Sequence, residues 1–263
     1  MADRTCVRYS EGVPARVVNP THLSDLAGRG LVTRAGSSTA ARERTLPLLP
    51  VFSALVPQAA VQRGSVVACT GAAALSLALA LAAGPSQEGA WVSVIGLPAL
   101  GLAAAVEAGV ALERLVAISE PVDAAGVVAP FSDAQWADLL AACIDGFDVL
   151  LLGPGAQQVR PGTARRLMAR LQARGAVAIT AGAPVFGADL RFECTSSTWM
   201  GLGDGHGVAQ GRVAEVALSG RRVPQARRGE LWLPSADGRV RAVGVPLDGA
   251  DTVPTVVPLR RTG

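Results

Sequence analysis

Between residues 65 and 180, short apolar or β-branched runs alternate with helical stretches of ten or more residues, and that rhythm leaves few folds open. Ser65–Cys69, Trp91–Ile95, Leu115–Ile118, Asp148–Leu152 and Ala176–Thr180 read as strands. Ala72–Ala83, ended by Gly84-Pro85, and Leu97–Ala108, ended by Gly109, read as the first two helices. Ser132-Asp133 opens a third, running to about Ile144, with Trp136, Leu139, Leu140 and Cys143 along one face; Thr163–Arg174 is the fourth. Parallel strands need crossovers of this length, so the pattern predicts βαβ units around a mostly parallel sheet covered on both faces. After Thr180 the long helices stop. Asp189–Cys194, Arg212–Leu218 and Glu230–Leu233 read as strands joined by Gly-rich loops, an antiparallel C-terminal extension of the same α/β sheet.

The chain divides into a polar, loosely ordered N-terminal arm (1–45), a core (46–247) and a flexible tail (248–263) that, with Pro254 and Pro258, reads as extended or disordered. Within the arm, Asn19 or Thr21 caps one short helix over His22–Ala27. Half the residues are hydrophobic but only 4% are aromatic, so the core is built of Ala, Val and Leu. The N-terminus carries no apolar signal region, and the most apolar run, Ala72–Ala83, is too short to span a bilayer. The expectation is a cytoplasmic protein with no membrane partner. Cys6, Cys69, Cys143 and Cys194 are dispersed, as are His22 and His206, which predicts no metal site; Cys69 and Cys143 lie in apolar runs and read as buried thiols.

Strand, Gly-turn and helix at Ser65–Cys69, Thr70-Gly71 and Ala72 onward have the order of a phosphate loop, yet the chain contains no lysine: all 24 basic residues are arginine. Counting GxxxxGK[ST] from Gly71 puts Ser76, Leu77 and Ala78 at the Gly, Lys and hydroxyl positions; slipping by one residue puts Leu75 at the lysine. Leucine brings no charge to a phosphate, and alanine does not ligate Mg²⁺. The strand ending at Leu152 continues into Gly153-Pro154 where a metal-orienting Asp would stand, and Trp91–Ile95 runs into Gly96-Leu97-Pro98 without a carboxylate. Only Gly71 and Ser76 remain as vestiges, so neither a catalytic residue nor a cofactor is expected. No Gly-x-Ser-x-Gly or His-x-x-x-His motif is present, and Glu107 and Glu113 read as solvated helix-surface charges.

The net charge of +3 is unevenly spread. Residues 1–159 hold nine arginines against 13 carboxylates, leaving −4; residues 160–263 hold 15 against eight, leaving +7. Arg165, Arg166, Arg170 and Arg174, preceded by Arg160, lie away from the apolar stripe Leu167, Met168 and Leu171 of the fourth helix. Arg221, Arg222, Arg227 and Arg228 form a second basic set, followed by Arg239 and Arg241. Both sets are candidates for binding a partner protein or DNA, or are solvated surface. No aromatic residue is interleaved with the helical set to stack on bases. Trp232, between Leu231 and Leu233, reads as a core residue.

The order of these elements resembles the RecA recombinase core over about residues 46–240. Arg63–Val67 is similar to the strand entering the RecA phosphate loop, Ala108–Val116 to a helix end and the strand after it, Phe147–Leu152 to the Walker B strand, and Arg212–Leu233 to the last core strands. The degenerate loop Thr70–Ala80 and Gly153 at the Walker B position resemble the actinobacterial mutasome accessory family ImuA-prime. That resemblance implies a RecA-like fold and a non-catalytic adaptor role in damage-induced mutagenesis and translesion synthesis. The implied partners are an inactive Y-family polymerase homologue and an error-prone C-family polymerase. Short segments after Leu152 and after Thr180 leave little room for RecA's two DNA-binding loops. The alternatives are an ATP-independent DNA-binding RecA paralogue using the fourth helix, a weak ATPase, and a SulA-like division inhibitor.

Overall fold

The structure, a computed structural model, describes residues 44–98, 100–121, 128–154, 156, 159–184, 186–203, 206–221 and 223–244. The predicted helix at 22–27, nearly all of the arm, the tail and Arg222 lie outside the described residues. A short hairpin, β1 (Thr45–Pro47) with β2 (Ala60–Gln62), brackets a 3-10 turn at Pro50–Ala54. Then come β3 (Val66–Gly71), α1 (Ala74–Gln87), β4 (Val92–Ile95), α2 (Leu102–Glu107), β5 (Leu115–Ile118), α3 (Asp133–Gly146), β6 (Val149–Leu152), α4 (Pro161–Arg174) and β7 (Val177–Ala181). The chain closes with β8 (Leu190–Gly203), β9 (His206–Gly220), β10 (Arg227–Trp232) and β11 (Arg241–Ala242).

Nine strands form one sheet in the order β11-β10-β9-β8-β3-β7-β6-β4-β5. From β5 across to β8 every pairing is parallel; the pairings of β9 with β8 and β10, and of β10 with β11, are antiparallel. This is the expected α/β class, a mostly parallel sheet with an antiparallel C-terminal extension, with one difference of detail. The segment predicted at Asp189–Cys194 is not antiparallel throughout: its Leu190–Cys194 part pairs parallel with β3, and the reversal comes one strand later.

Alternate residues of the central strands serve two separate cores. Val67, Val94, Leu151 and Ile179 pack with α1, while Val66, Ile95, Leu150 and Ala178 pack with Trp136, Leu140, Leu167 and Leu171 of α3 and α4. The capping box at Ser132 and Gln135 starts α3, and left-handed Gly175 ends α4. At the start of β6, the buried Asp148 carboxylate accepts from Arg63 Nη1 at 2.8 Å and from the Trp91 amide at 3.2 Å, holding three strand ends together.

Three predicted details differ. Helix α1 does not stop at Gly84-Pro85 but continues to Gln87. Pro85 sits in the final turn, where few bonds remain to lose, and the buried Ser86 hydroxyl donates to the Ala83 carbonyl. Gly84 instead permits a close approach: a Cβ there would stand 2.6 Å from the Leu48 backbone. Leu46, Leu48, Phe52 and Leu55 thereby roof the outer face of α1, so Leu77 to Ser86 are all buried. The second helix is shorter than predicted, beginning at Leu102 after Gly101, because Pro98 falls in a turn. Trp232 is half-buried, and Leu231 and Leu233 on either side face the core instead.

The β8–β9 hairpin is longer than the sequence pattern implied. Beyond Cys194 on one strand and before Val213 on the other, it has no neighbouring strand among the described residues. Trp199, Met200, Leu202 and Val208 are exposed on this projecting ribbon.

The roof over α1 sets up a paired test. Gly84→Ala should lower stability by about 1–3 kcal/mol through overpacking. Gly162→Ala, in α4 with nothing within 4 Å of the new methyl, should be neutral or mildly stabilising. Thermal unfolding of both variants beside the parent reads the difference.

Candidate functional site

The strand–turn–helix that has the order of a phosphate loop is present but closed. β3 ends at Gly71 with φ +85°, only Ala72 and Ala73 intervene, and α1 starts at Ala74. The motif has four residues between its glycines; two do not provide the same wrapping loop. Gly71 is needed for packing: a Cβ there would stand 2.2 Å from the Cys194 carbonyl oxygen of β8. Leu77 and Ala78, at the counted lysine and hydroxyl positions, are wholly buried beneath the roof of α1.

The Walker B position is closed in the same way. Gly153 donates its amide to the Ile95 carbonyl at 2.9 Å, and a Cβ on it would stand 2.0 Å from the Gly96 carbonyl oxygen. The volume an aspartate side chain requires at this position is occupied by backbone.

Ser76 is engaged by a residue the sequence reading passed over. Arg212, 8% exposed near the base of the ribbon, donates through Nη2 to Ser76 Oγ at 2.7 Å and through Nε to the Leu233 carbonyl at 2.7 Å. Its guanidinium lies 5.1 Å from the centre of the Trp199 ring. Among the described residues it has no carboxylate partner, and burial lowers its pKa below the usual arginine value. An arginine at the start of the predicted strand Arg212–Leu218, whose only other charged residue is Glu215, was the available sequence signal.

Neither Cys69 nor Cys143, both buried, is poised as a nucleophile. Burial pushes the Cys69 thiol far up and the Cys143 thiol up to about 12, the latter despite a hydrogen bond with Ser93 that acts the other way. Cys6 and His22 lie outside the described residues. Among the described residues, no group of three or more His, Cys, Asp or Glu side chains could hold a metal, and no helix is long and apolar enough to cross a membrane.

The predicted basic residues fall into two kinds. Arg160 pairs with Asp133 at 3.1 Å, Arg170 and Arg174 both clasp Asp145 of α3, and Arg228 pairs with Glu215 at 3.0 Å. Arg227 donates to the Leu55 carbonyl at 3.1 Å. By contrast, among the described residues Arg165 and Arg166 reach only Pro161 and Thr163 of their own helix, and the Arg221 guanidinium lies over Gly187. Leu167 and Leu171 of the apolar stripe are buried, and Met168 is half-buried. Arg165 and Arg221, one from each basic set, border a single open groove of about 550 Å³ between α4 and the 186–189 segment.

The model of the MT3502 N-terminal domain family matches residues 54–186, half of the chain. The chain belongs to the MT3502 N-terminal domain family. The matched span runs from the roof of α1 to Phe186, so this MT3502 N-terminal domain contains both closed positions and α4; the ribbon and β10 lie beyond it. Among solved structures, one similar chain is described as the RadB recombinase, with 12% identity and a TM-score of 0.48, covering 74% of this chain and 97% of that one. A likeness so distant says nothing about activity. No curated protein matches.

Two outcomes test this geometry. Gly153→Ala and Gly153→Asp should each lower the thermal midpoint substantially, because both add the excluded Cβ; a harmless alanine would remove the steric argument. Hydrogen bonds from Arg170, then the nearby charges of Arg170 and Arg174, hold the Asp145 carboxyl below the usual carboxylate range. That stabilisation is present above the usual carboxylate pKa and is lost as pH falls through the lowered one. Denaturation profiles from about pH 6 to about pH 3 should therefore show a smaller acid loss in Asp145→Asn than in the parent.

Proposed function

We propose that this chain is a non-catalytic RecA-like accessory protein that acts by binding other proteins in damage-induced mutagenesis. One observation carries the reading: the residues counted onto the nucleotide-activating positions are core-filling Leu77 and Ala78, and the Gly96 carbonyl occupies the space of the Walker B carboxylate. Phosphoryl transfer depends on positioned charge and a metal, and these substitutions supply neither. The mutasome context comes from the ImuA-prime resemblance of the Thr70–Ala80 loop and Gly153. On this reading the partners are the inactive Y-family polymerase homologue and the error-prone C-family polymerase, and the compartment is the cytoplasm.

The basic C-terminal half is the surface through which a partner docks, with any DNA contact secondary. Truncation from residue 221 is a poor probe of that surface, since it deletes buried Leu231 and Leu233 along with the arginines. Charge reversal leaves the core intact.

The test is affinity purification of the tagged chain from cells after DNA damage, beside a radiolabelled ATP assay. Expected are recovery of both polymerase-family proteins and ATP turnover at the buffer level. Turnover above background, or a chain recovered without either polymerase, would overturn the proposal. DNA binding that falls steeply with added salt would favour the DNA-binding paralogue instead.

A further inference from the structure

The two basic sets are about fifty residues apart in sequence, and the fold brings one member of each to the same groove. Arg165 stands on α4, and Arg221 follows the last residue of β9. The Arg221 position is fixed by backbone: its amide donates to the Asp189 carbonyl at 3.1 Å, and Gly220 passes so close that a Cβ would lie 2.1 Å from that same oxygen. Arg165 uses Nε on the Pro161 carbonyl at 3.4 Å. Neither guanidinium has a carboxylate partner among the described residues, unlike Arg160, Arg170, Arg174 and Arg228.

The lining between them includes Val159, Met168 and Phe186, with Gln172 farther along α4. Val159 and Phe186 are buried and Met168 is half-buried, so the groove pairs an apolar floor with cationic sides. The one carboxylate in the lining, Asp189, accepts from the Val66 amide at 3.0 Å, and the lining keeps a net positive charge. Such a groove complements an apolar side chain flanked by acidic ones. It is a poor match for nucleic acid: its only aromatic, Phe186, is 4% exposed and offers no face for stacking.

We propose that the groove between α4 and the 186–189 segment docks an acidic peptide segment of a partner protein. A hydrophobic residue of the peptide sits on the half-buried Met168, with carboxylates reaching Arg165 and Arg221. This rests on the partner-binding reading above and assigns the place where that binding occurs.

The experiment begins with a displayed library of random dodecapeptides selected against the full chain. The most enriched peptide is then synthesised with a fluorescent label, and its affinity is measured by anisotropy. Expected is enrichment of Phe or Leu bracketed by Asp or Glu. Arg165→Glu with Arg221→Glu should weaken binding at least about tenfold, and Met168→Gln about threefold. The charge-matched pair Arg44→Glu with Arg114→Glu, outside both the basic C-terminal half and the groove, should change it less than about twofold. The proposal is overturned if no acidic-apolar pattern is enriched, if the control pair weakens binding as much as the groove pair, or if single-stranded oligothymidine displaces the peptide at equal concentration. The same variants separate this inference from the broader one. Polymerase recovery that survives Arg165→Glu with Arg221→Glu removes the groove and leaves the adaptor role standing, whereas failure of the parent chain to recover a polymerase removes the adaptor role.

Discussion

Backbone packed against backbone at the ends of the parallel strands is the constraint on which the rest of this structure depends. Gly71 lies against Cys194, Gly153 against Gly96 and Gly84 against Leu48, each too close for a Cβ without displacement. The first two contacts sit at the turn with the order of a phosphate loop and at the end of the strand Val149–Leu152. The third draws the 46–55 segment over α1, turning a helix that would flank a ligand into one enclosed on all sides. A helix so enclosed can be apolar around its whole circumference, which is how Ala74–Gln87 reads.

Much of the fold was legible because a buried parallel sheet leaves a strong signature. The predicted Leu115–Ile118 strand matches β5 end for end, and Thr163–Arg174 falls within α4. Failures came where one local signal had two physical uses. Gly84-Pro85 reads as a stop, yet the glycine serves a neighbouring segment and the proline falls where the helix tolerates it. Alternation around Trp232 was visible, but its phase was not, and Leu231 and Leu233 took the inward positions. The ribbon was underestimated because an exposed pair of strands need not alternate between apolar and polar residues.

The site was less legible than the fold. Substitutions at the phosphate-loop positions could be read directly, since they concern which residue types are present. That Gly71 and Gly153 answer to steric demands could not, because each neighbour comes from a distant strand. Charge counting found the basic half but not its internal pairing: Asp145 is 25 residues from Arg170 and 29 from Arg174. Nor does spacing reveal that Arg165 and Arg221 meet across a groove, or that Arg212 reaches Ser76 from 136 residues away.

The projecting ribbon carries a hazard and a partial safeguard. No residue among 195–203 is charged, and its outer edges have no strand beside them among the described residues, so repulsion does little to keep another chain from adding itself there. Its register, however, is interrupted between Cys194 and Ser196 and again between Met200 and Leu202. Such irregularities bend and twist a strand, so an incoming strand finds short lengths of matching hydrogen-bond partners instead of a continuous ladder. The ribbon's crookedness thus guards its edges, and a straightened version would offer another chain a longer unbroken length to pair with.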